Sequence, residues 1–136
     1  MNENPIRVAL FKLLSEDAKL KELATGGVHP KQAPNGATPP YIIFGNSGEG
    51  VVRTFGNGPS LDKEVWYVKG VGEVAVAEAI DARCQELLDG QELDIEGHHC
   101  HDVYRIGLID YSENKDGERF DHVGHEYKID TEKKGV

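Results

Sequence analysis

The sequence has few of the residues that mark a secreted or membrane protein. It contains two cysteines in 136 residues, too few for a disulfide scaffold, so Cys84 and Cys100 are expected to be reduced thiols. It contains no apolar run of about 18 residues, the length that a membrane-spanning helix needs. Residues Met1–Pro5 lack the basic and apolar regions of a signal peptide. We therefore expect a protein made and kept in the cytosol, without a membrane partner.

Positive charge is also scarce. Lysine and arginine number 15 against 24 acids, which gives a net charge of -9. A negative surface repels nucleic-acid phosphates on average and so argues against DNA as a bound ligand. The same surface would suit a channel through which DNA slides without sticking, and composition leaves both interpretations open.

The length and the 38% content of apolar residues predict one domain over residues 1–136. Its end, Thr131–Val136, is polar and is expected to be frayed.

Two stretches have the apolar spacing of amphipathic helices. The first, Pro5–Ala24, can be capped by Asn4 and ends before Gly26-Gly27. The second, Glu73–Leu88, ends at Asp89-Gly90. Each carries apolar residues three or four positions apart, which predicts one buried face per helix.

The segments between and after these helices favour strands. Val28–Pro40 holds four prolines and is expected to be a stiff connector, apart from a short edge strand at Val28-His29. Tyr41–Phe44 and Val51–Phe55, separated by the turn-like stretch Gly45–Gly50, predict a hairpin. Glu64–Lys69 is a further strand that places Val65 and Tyr67 on one face and Trp66 and Val68 on the other. Because both faces are partly apolar, this strand is either central in the sheet or covered by a helix on one side and a partner subunit on the other.

Three more strand-like runs follow the second helix. They are Glu92–Ile95, His101–Tyr111 and Phe120–Ile129, the last two joined by the polar loop Ser112–Arg119. The order of elements predicts an α+β fold, in which a mostly antiparallel β-sheet has two amphipathic helices packed on one face.

The cluster His98-His99-Cys100-His101-Asp102, with His122 and His125 nearby in a pairing strand, invites a metal-site interpretation. On a strand, alternate residues share a face, so His98, Cys100 and Asp102 would point one way, as three ligands of a catalytic zinc would. However, the cluster lacks the separated ligand pairs of structural zinc sites and the helical His-Glu-x-x-His motif. Half-exposed histidines around a small packed thiol are the simpler interpretation, and we predict no metal and no cofactor.

Cysteine catalysis has weak support. It needs a low thiol pKa and a nearby base, whereas Cys84 lies on an apolar helical stripe. Glycines from Gly45 to Gly58 lack the Gly-Lys-Ser or Gly-Lys-Thr sequence of a phosphate-binding loop. We therefore predict that the protein is not an enzyme.

Three short motifs carry a resemblance to a known family. The N-terminal amphipathic helix is followed by Gly26-Gly27-Val28-His29-Pro30, Ala33-Pro34-Asn35-Gly36 and Pro39-Pro40-Tyr41-Ile42-Ile43-Phe44. This succession resembles the small tail-completion, or tail-terminator, proteins of long-tailed, siphovirus-like phages and prophages. The later order of a strand, a helix and a closing sheet is similar too, so the likeness covers roughly Pro5 to Ile129.

The resemblance implies an α+β subunit that forms a hexameric ring on the head-proximal end of the tail tube. Such a ring stops tube growth and offers a docking face to the head connector. The implied partners are copies of the same chain, the tail tube protein and a head-closure or connector protein, with double-stranded DNA passing through the lumen without specific binding. The implied location is the virion tail, after assembly in the host cytoplasm.

Within such a ring, certain residues are candidates for contacts. We expect Arg53, Phe55 and Trp66 at a subunit or tube interface. Asp116 and Glu118, in an acidic loop, are expected to line the channel, where repeated negative charge would keep DNA from adhering.

Other functions stay open at the level of the sequence. The protein can be a different neck component, such as a head-closure or adaptor protein. A metal-dependent hydrolase that uses the His98–Asp102 cluster, or a small-molecule binding module of a host, are less favoured alternatives.

Overall fold

The chain folds into a sheet with helices on one face. A computed structural model describes residues 3–52 and 61–134. In chain order its elements are α1 (Pro5–Glu16), α2 (Ala18–Leu23), β1 (Val28–Pro30), β2 (Tyr41–Val52), β3 (Leu61–Gly72), α3 (Val74–Leu88), β4 (His98–Lys115) and β5 (Glu118–Lys133). The sheet has five strands in the order β1-β2-β3-β5-β4. Only the β1–β2 pair is parallel among these strands, which confirms the predicted α+β class.

The first predicted helix is divided at Asp17. Asn4 caps α1 as expected, because its side chain accepts from the backbone N–H groups of Ile6 and Arg7. Asp17 has an extended backbone, with φ -70° and ψ 125°, and its carboxylate accepts from Leu20 N at 3.0 Å. Asp17 therefore ends α1 and caps α2 at once. The predicted extent is right, but the single continuous helix is wrong.

The predicted hairpin between Tyr41–Phe44 and Val51–Phe55 is also wrong. β2 runs from Tyr41 to Val52 and pairs along its length with β3, with an irregularity between Asn46 and Gly48. Gly45 serves close packing rather than a turn. A Cβ on Gly45 would lie 2.6 Å from the Tyr67 hydroxyl, so the ring of Tyr67 occupies the space that another side chain would fill.

The last two strands are longer than predicted, and their connection is shorter. β4 and β5 pair as far as Lys115 and Glu118, so the expected loop Ser112–Arg119 reduces to the pair Asp116-Gly117. Both have positive φ, 53° and 80°, as a type I′ hairpin turn requires. The predicted fraying from Thr131 is wrong for the first residues of that tail, because β5 continues to Lys133 and Thr131 is buried.

The core lies between the helices and the sheet. Segment 91–95 is irregular rather than a strand, and it contributes Leu93 and Ile95 to this core. β3 is the middle strand, with its Trp66 and Val68 side chains buried on the helix side. Helix α3 packs closely there, because a Cβ on Gly70 would be 2.8 Å from Ile80.

Two polar contacts hold α3 in place. Arg83 donates to both carboxylate oxygens of Asp17 at 2.7 and 3.0 Å, and this pair joins α3 to the start of α2. The buried carboxylate of Asp81 accepts from Gln85 and lies 2.8 Å from Nδ1 of His125 on β5. Within the described ranges, no helix is long and apolar enough to cross a membrane.

Candidate assembly surfaces

The outer edge of β4 is covered at Val103 and Arg105. Gly90 N donates to the carbonyl of Val103 at 2.8 Å, and the Asp89 carboxylate accepts from Arg105 N at 3.1 Å. The guanidinium of Arg105 also pairs with Asp89. The connection after α3 therefore protects the edge as far as Arg105, as proteins commonly protect exposed strand edges.

From Ile106 onward the edge carries exposed apolar side chains. The strand pairing shifts between Arg105 and Gly107, so Ile106 lies in a bulge and is 49% exposed. Leu108 is 67% exposed, and Asp110 beyond it is also exposed. Ile106, Leu108 and Asp110 are called the β4 edge patch below. An exposed apolar strand edge is a template for pairing with another chain.

A second apolar surface lies at the opposite edge of the sheet. Val8 and Phe11 of α1 are 43% and 44% exposed. They line a groove of about 450 Å³, here the α1 groove, with Glu3, Arg7, Lys12, Pro30 and Phe44. Pro30 belongs to β1, the strand at the other end of the sheet order. The subunit therefore has apolar side chains exposed at both of its lateral edges.

The hairpin of β4 and β5 extends past the rest of the sheet. The last residue of β3, Gly72, pairs with Asp121, whereas residues 113–120 pair only within the hairpin. At the tip, Asp116 and Glu118 are exposed. The Asp121 carboxylate accepts from Ser112 Oγ at 2.7 Å and from Arg119 at 3.2 Å, and these bonds lower the pKa of Asp121.

The base of the hairpin is fixed on the face of the sheet opposite the helices. Lys69 Nζ donates to the Tyr111 hydroxyl at 2.8 Å, and the ring of Tyr111 stacks on His122 at a centroid distance of 4.3 Å. His122 Nε2 lies 2.9 Å from a carboxylate oxygen of Glu113. This hydrogen bond lowers the pKa of Glu113. The projecting hairpin is thus oriented by β3 rather than left free at its base.

The structure gives different outcomes for the contact residues expected from the sequence. Arg53 and Phe55 lie outside the described residues. The expectation for Trp66 is wrong: its side chain is buried, stacks on Phe44 at 6.5 Å and donates from Nε1 to Glu64. Contact with another subunit would require Trp66 to leave the core. Asp116 and Glu118 are exposed at the tip, and what they face in an assembly stays a prediction.

The histidine cluster is dispersed in the fold. The pairing shifts between Cys100 and Asp102, so the regular alternation expected for His98, Cys100 and Asp102 is interrupted. His98 contacts the backbone of Glu96, and His101 contacts Glu132 at 3.0 Å. Across residues 3–52 and 61–134, no group of three or more His, Cys, Asp or Glu side chains is placed to hold a metal ion.

Both thiols lie in surroundings that disfavour the thiolate. Burial raises the pKa of Cys84, which lies against the sheet, and burial is also the main cause that raises the pKa of Cys100. A nucleophilic cysteine needs the opposite shift.

Comparison with known proteins agrees with this description. The family model of tail completion protein gp17 matches residues 8–122. A chain in the solved structure of the virion of a native gene transfer agent particle has a similar fold, with a TM-score of 0.72 and 14% sequence identity; the match covers 94% of this chain and 95% of that one. A search of curated proteins gives no match. Since the family model spans most of the sequence, the chain belongs to the tail completion protein gp17 family.

Proposed function

We propose that the protein is a tail terminator: it assembles as a ring, hexameric by family resemblance, on the head-proximal end of the tail tube. There it stops tube polymerisation and provides the docking face for the head connector. The observation that carries this proposal is the family match over residues 8–122. Two lateral edges with exposed apolar residues add support, because a subunit in a ring needs two contact surfaces.

The physical logic of termination is asymmetry. One face of the ring makes the contacts that a further ring of tube protein would make, whereas the other face differs from the tube, so that addition stops. The partners are therefore the tail tube protein on one side and a head-closure or connector protein on the other. The role is structural and requires no catalysis. The protein assembles in the host cytoplasm and remains in the virion.

The acidic hairpin tip is suited to the bore. Asp116 and Glu118 are exposed on a hairpin that projects past β3. Repeated around a ring, these carboxylates give a negative lining that repels DNA phosphates and lets double-stranded DNA pass without binding.

Charge reversal tests the lining. We expect Asp116→Lys combined with Glu118→Lys to slow DNA passage and lower infectivity, since the lining would then attract the phosphates. Glu22→Lys with Glu78→Lys, at exposed helix positions, is the matched control. Unchanged DNA passage and infectivity in the tip variant would remove the lining from the proposal.

Arg53 and Phe55 remain candidates for tube or subunit contact. We expect Arg53→Glu and Phe55→Ser to weaken binding to isolated tail tubes, because each removes a group of the kind that anchors protein interfaces. Tube binding at wild-type levels would exclude both residues from the contact.

The decisive experiment for the function is electron microscopy of particles made without this protein. Overlong tail tubes are the expected result, and wild-type protein supplied in trans should restore normal length. Tails of normal length that fail to join heads would instead favour an adaptor or head-closure protein.

A further inference from the structure

The two exposed apolar surfaces lie at opposite edges of the sheet, at the two ends of one line of paired residues that crosses its strands. Strand pairing aligns Pro30 of β1 with Phe44, Val68, His125 and finally Leu108 of β4. Directly paired residues point to the same face of a sheet. Leu108 and Pro30 therefore both lie on the helix-covered side, at the same height along the strands but at opposite lateral edges.

We propose that the β4 edge patch of one subunit docks into the α1 groove of the next copy of this chain. The inference rests on the ring of the proposed function and names its subunit contact. Two different surfaces of identical subunits meet head to tail, and such contacts close into a ring only when repetition adds no displacement along the axis. The two surfaces lie at the same height along the strands and on the same side of the sheet, so they are displaced from each other mainly across the strands, which is compatible with this condition.

The two surfaces are complementary in apolar character. Docking removes Ile106 and Leu108 from water against Val8 and Phe11, four of the large apolar side chains that are exposed in the isolated subunit. Transfer of such surface out of water is the main favourable contribution to association.

The charges are complementary as well. Among the described residues, Asp110 of the β4 edge patch makes no ion pair, and neither do Arg7 and Lys12 of the α1 groove. The groove thus offers two unpaired cations beside one acid, Glu3. Docking brings an unpaired carboxylate to a net positive surface, which favours this register and orientation.

Cysteine cross-linking distinguishes this contact from pairing of two β4 edges. In a Cys100→Ser background, with Cys84 buried, Leu108→Cys combined with Phe11→Cys should give a ladder of disulfide-linked multimers. Each single variant should stay monomeric on a non-reducing gel. Dimers formed by Leu108→Cys alone would overturn the proposal in favour of a two-fold β4–β4 contact.

Native mass measurement separates failure of the contact from failure of the function. A ring that persists while the double-cysteine variant gives no ladder would overturn this contact and leave the terminator proposal standing. A protein that stays monomeric even when mixed with tail tubes would overturn both.

Substitution supplies a quantitative test. We expect Leu108→Lys to weaken subunit association by about tenfold, because the variant loses the burial of most of a leucine side chain that accompanies association in the wild type. The control is Val74→Lys, at a position 45% exposed at the start of α3 and outside both surfaces. Because both positions are exposed, the circular dichroism spectrum should be unchanged.

A charge swap tests the orientation. Asp110→Lys and Arg7→Asp should each weaken association, and the two together should recover part of the loss. The proposed docking would be contradicted if Leu108→Lys and wild type assembled equally well at limiting protein concentration. It would also be contradicted if the double charge-swap variant recovered none of the association lost in the single variants.

Discussion

The close approach of α3 to the sheet at Gly70 predicts a large effect from adding one methyl group. In Gly70→Ala the new Cβ would lie 2.8 Å from both Cβ and Cγ2 of Ile80, and 3.1 Å from the carbonyl oxygen of Ala77. Ordinary van der Waals contact begins at 3.4 Å. Ile80 Cβ is bonded to the helix backbone and the Ala77 carbonyl oxygen is part of it, so α3 itself must move.

The expected cost follows from the core that α3 closes. This helix buries Ala77, Ile80, Cys84 and Leu88, and lifting it loosens their packing. Overpacking of this kind costs about 1–3 kcal/mol. Replacing glycine inside a strand recovers about 0.5–1 kcal/mol of that. We therefore expect Gly70→Ala to be about 1–3 kcal/mol less stable than an unobstructed glycine-to-alanine variant. Relative to wild type, the free energy of unfolding should fall by up to about 2.5 kcal/mol and the midpoint temperature by up to about 10 °C.

The assay is urea unfolding and thermal unfolding at one protein concentration, because assembly makes stability depend on concentration. The matched control is Gly48→Ala in β2, where a Cβ meets no atom within 4 Å; we expect no loss of stability. Adding Ile80→Ala to Gly70→Ala should not rescue the protein, since alanine retains the obstructing Cβ. If Gly70→Ala is as stable as Gly48→Ala, the packing argument is refuted.

Two further predictions concern local contacts. The hydrogen bond from Arg83 lowers the pKa of Asp17, so the stabilisation by this pair is present above the ordinary aspartate pKa of about 4 and is lost as pH falls through the lower folded-state value. In urea unfolding, the Asp17→Asn variant, in which asparagine keeps the cap acceptor, should be less stable than wild type at pH 7 but should lose less stability on acidification. An equal pH dependence of the two proteins would contradict this. Gly117 has a φ of 80° in the hairpin turn, so Gly117→Ala should lower the free energy of unfolding by about 1 kcal/mol and speed hydrogen exchange in the hairpin. Asparagine tolerates positive φ, so Asp116→Asn should change neither the stability nor the exchange rate.

The sequence was most informative where apolar spacing and burial agree. The stripe of α3 and the alternation of Trp66 and Val68 with Val65 and Tyr67 are periodic signals, and the structure confirms the helix and the two faces of the strand. Asn4 and Asp17 carry the same capping chemistry. Only the first was predicted, because Asp17 lies inside an otherwise continuous apolar stripe and is secured by Arg83, which is distant in sequence.

The failed predictions share a physical cause. Gly45 and Gly48 were interpreted as turn residues, yet β3 pairs across them and the Tyr67 ring fills the space beside Gly45. A glycine in the sequence shows that the backbone is free to turn there, but tertiary contacts decide whether the glycine forms a turn or allows close packing in a strand. Trp66 was expected at an interface because a tryptophan on a partly apolar strand is ambiguous until its neighbour Phe44 is known.

The β4 edge patch was not predicted at all. Ile106 and Leu108 have the spacing of core residues in a strand, and only the β-bulge at Ile106 and the position of β4 at the sheet edge expose them. The bulge has no clear mark in the sequence. An apolar residue on an edge strand becomes recognisable as a contact residue only when the sheet order is known.

The most direct measurement of the central claim is tail tube growth in vitro with the purified protein added. We predict that tube protein stops elongating when this protein is present at one ring per tube end, and that micrographs show a ring at one end only. Tubes that continue to grow at the same rate, with no ring at either end, would contradict the account.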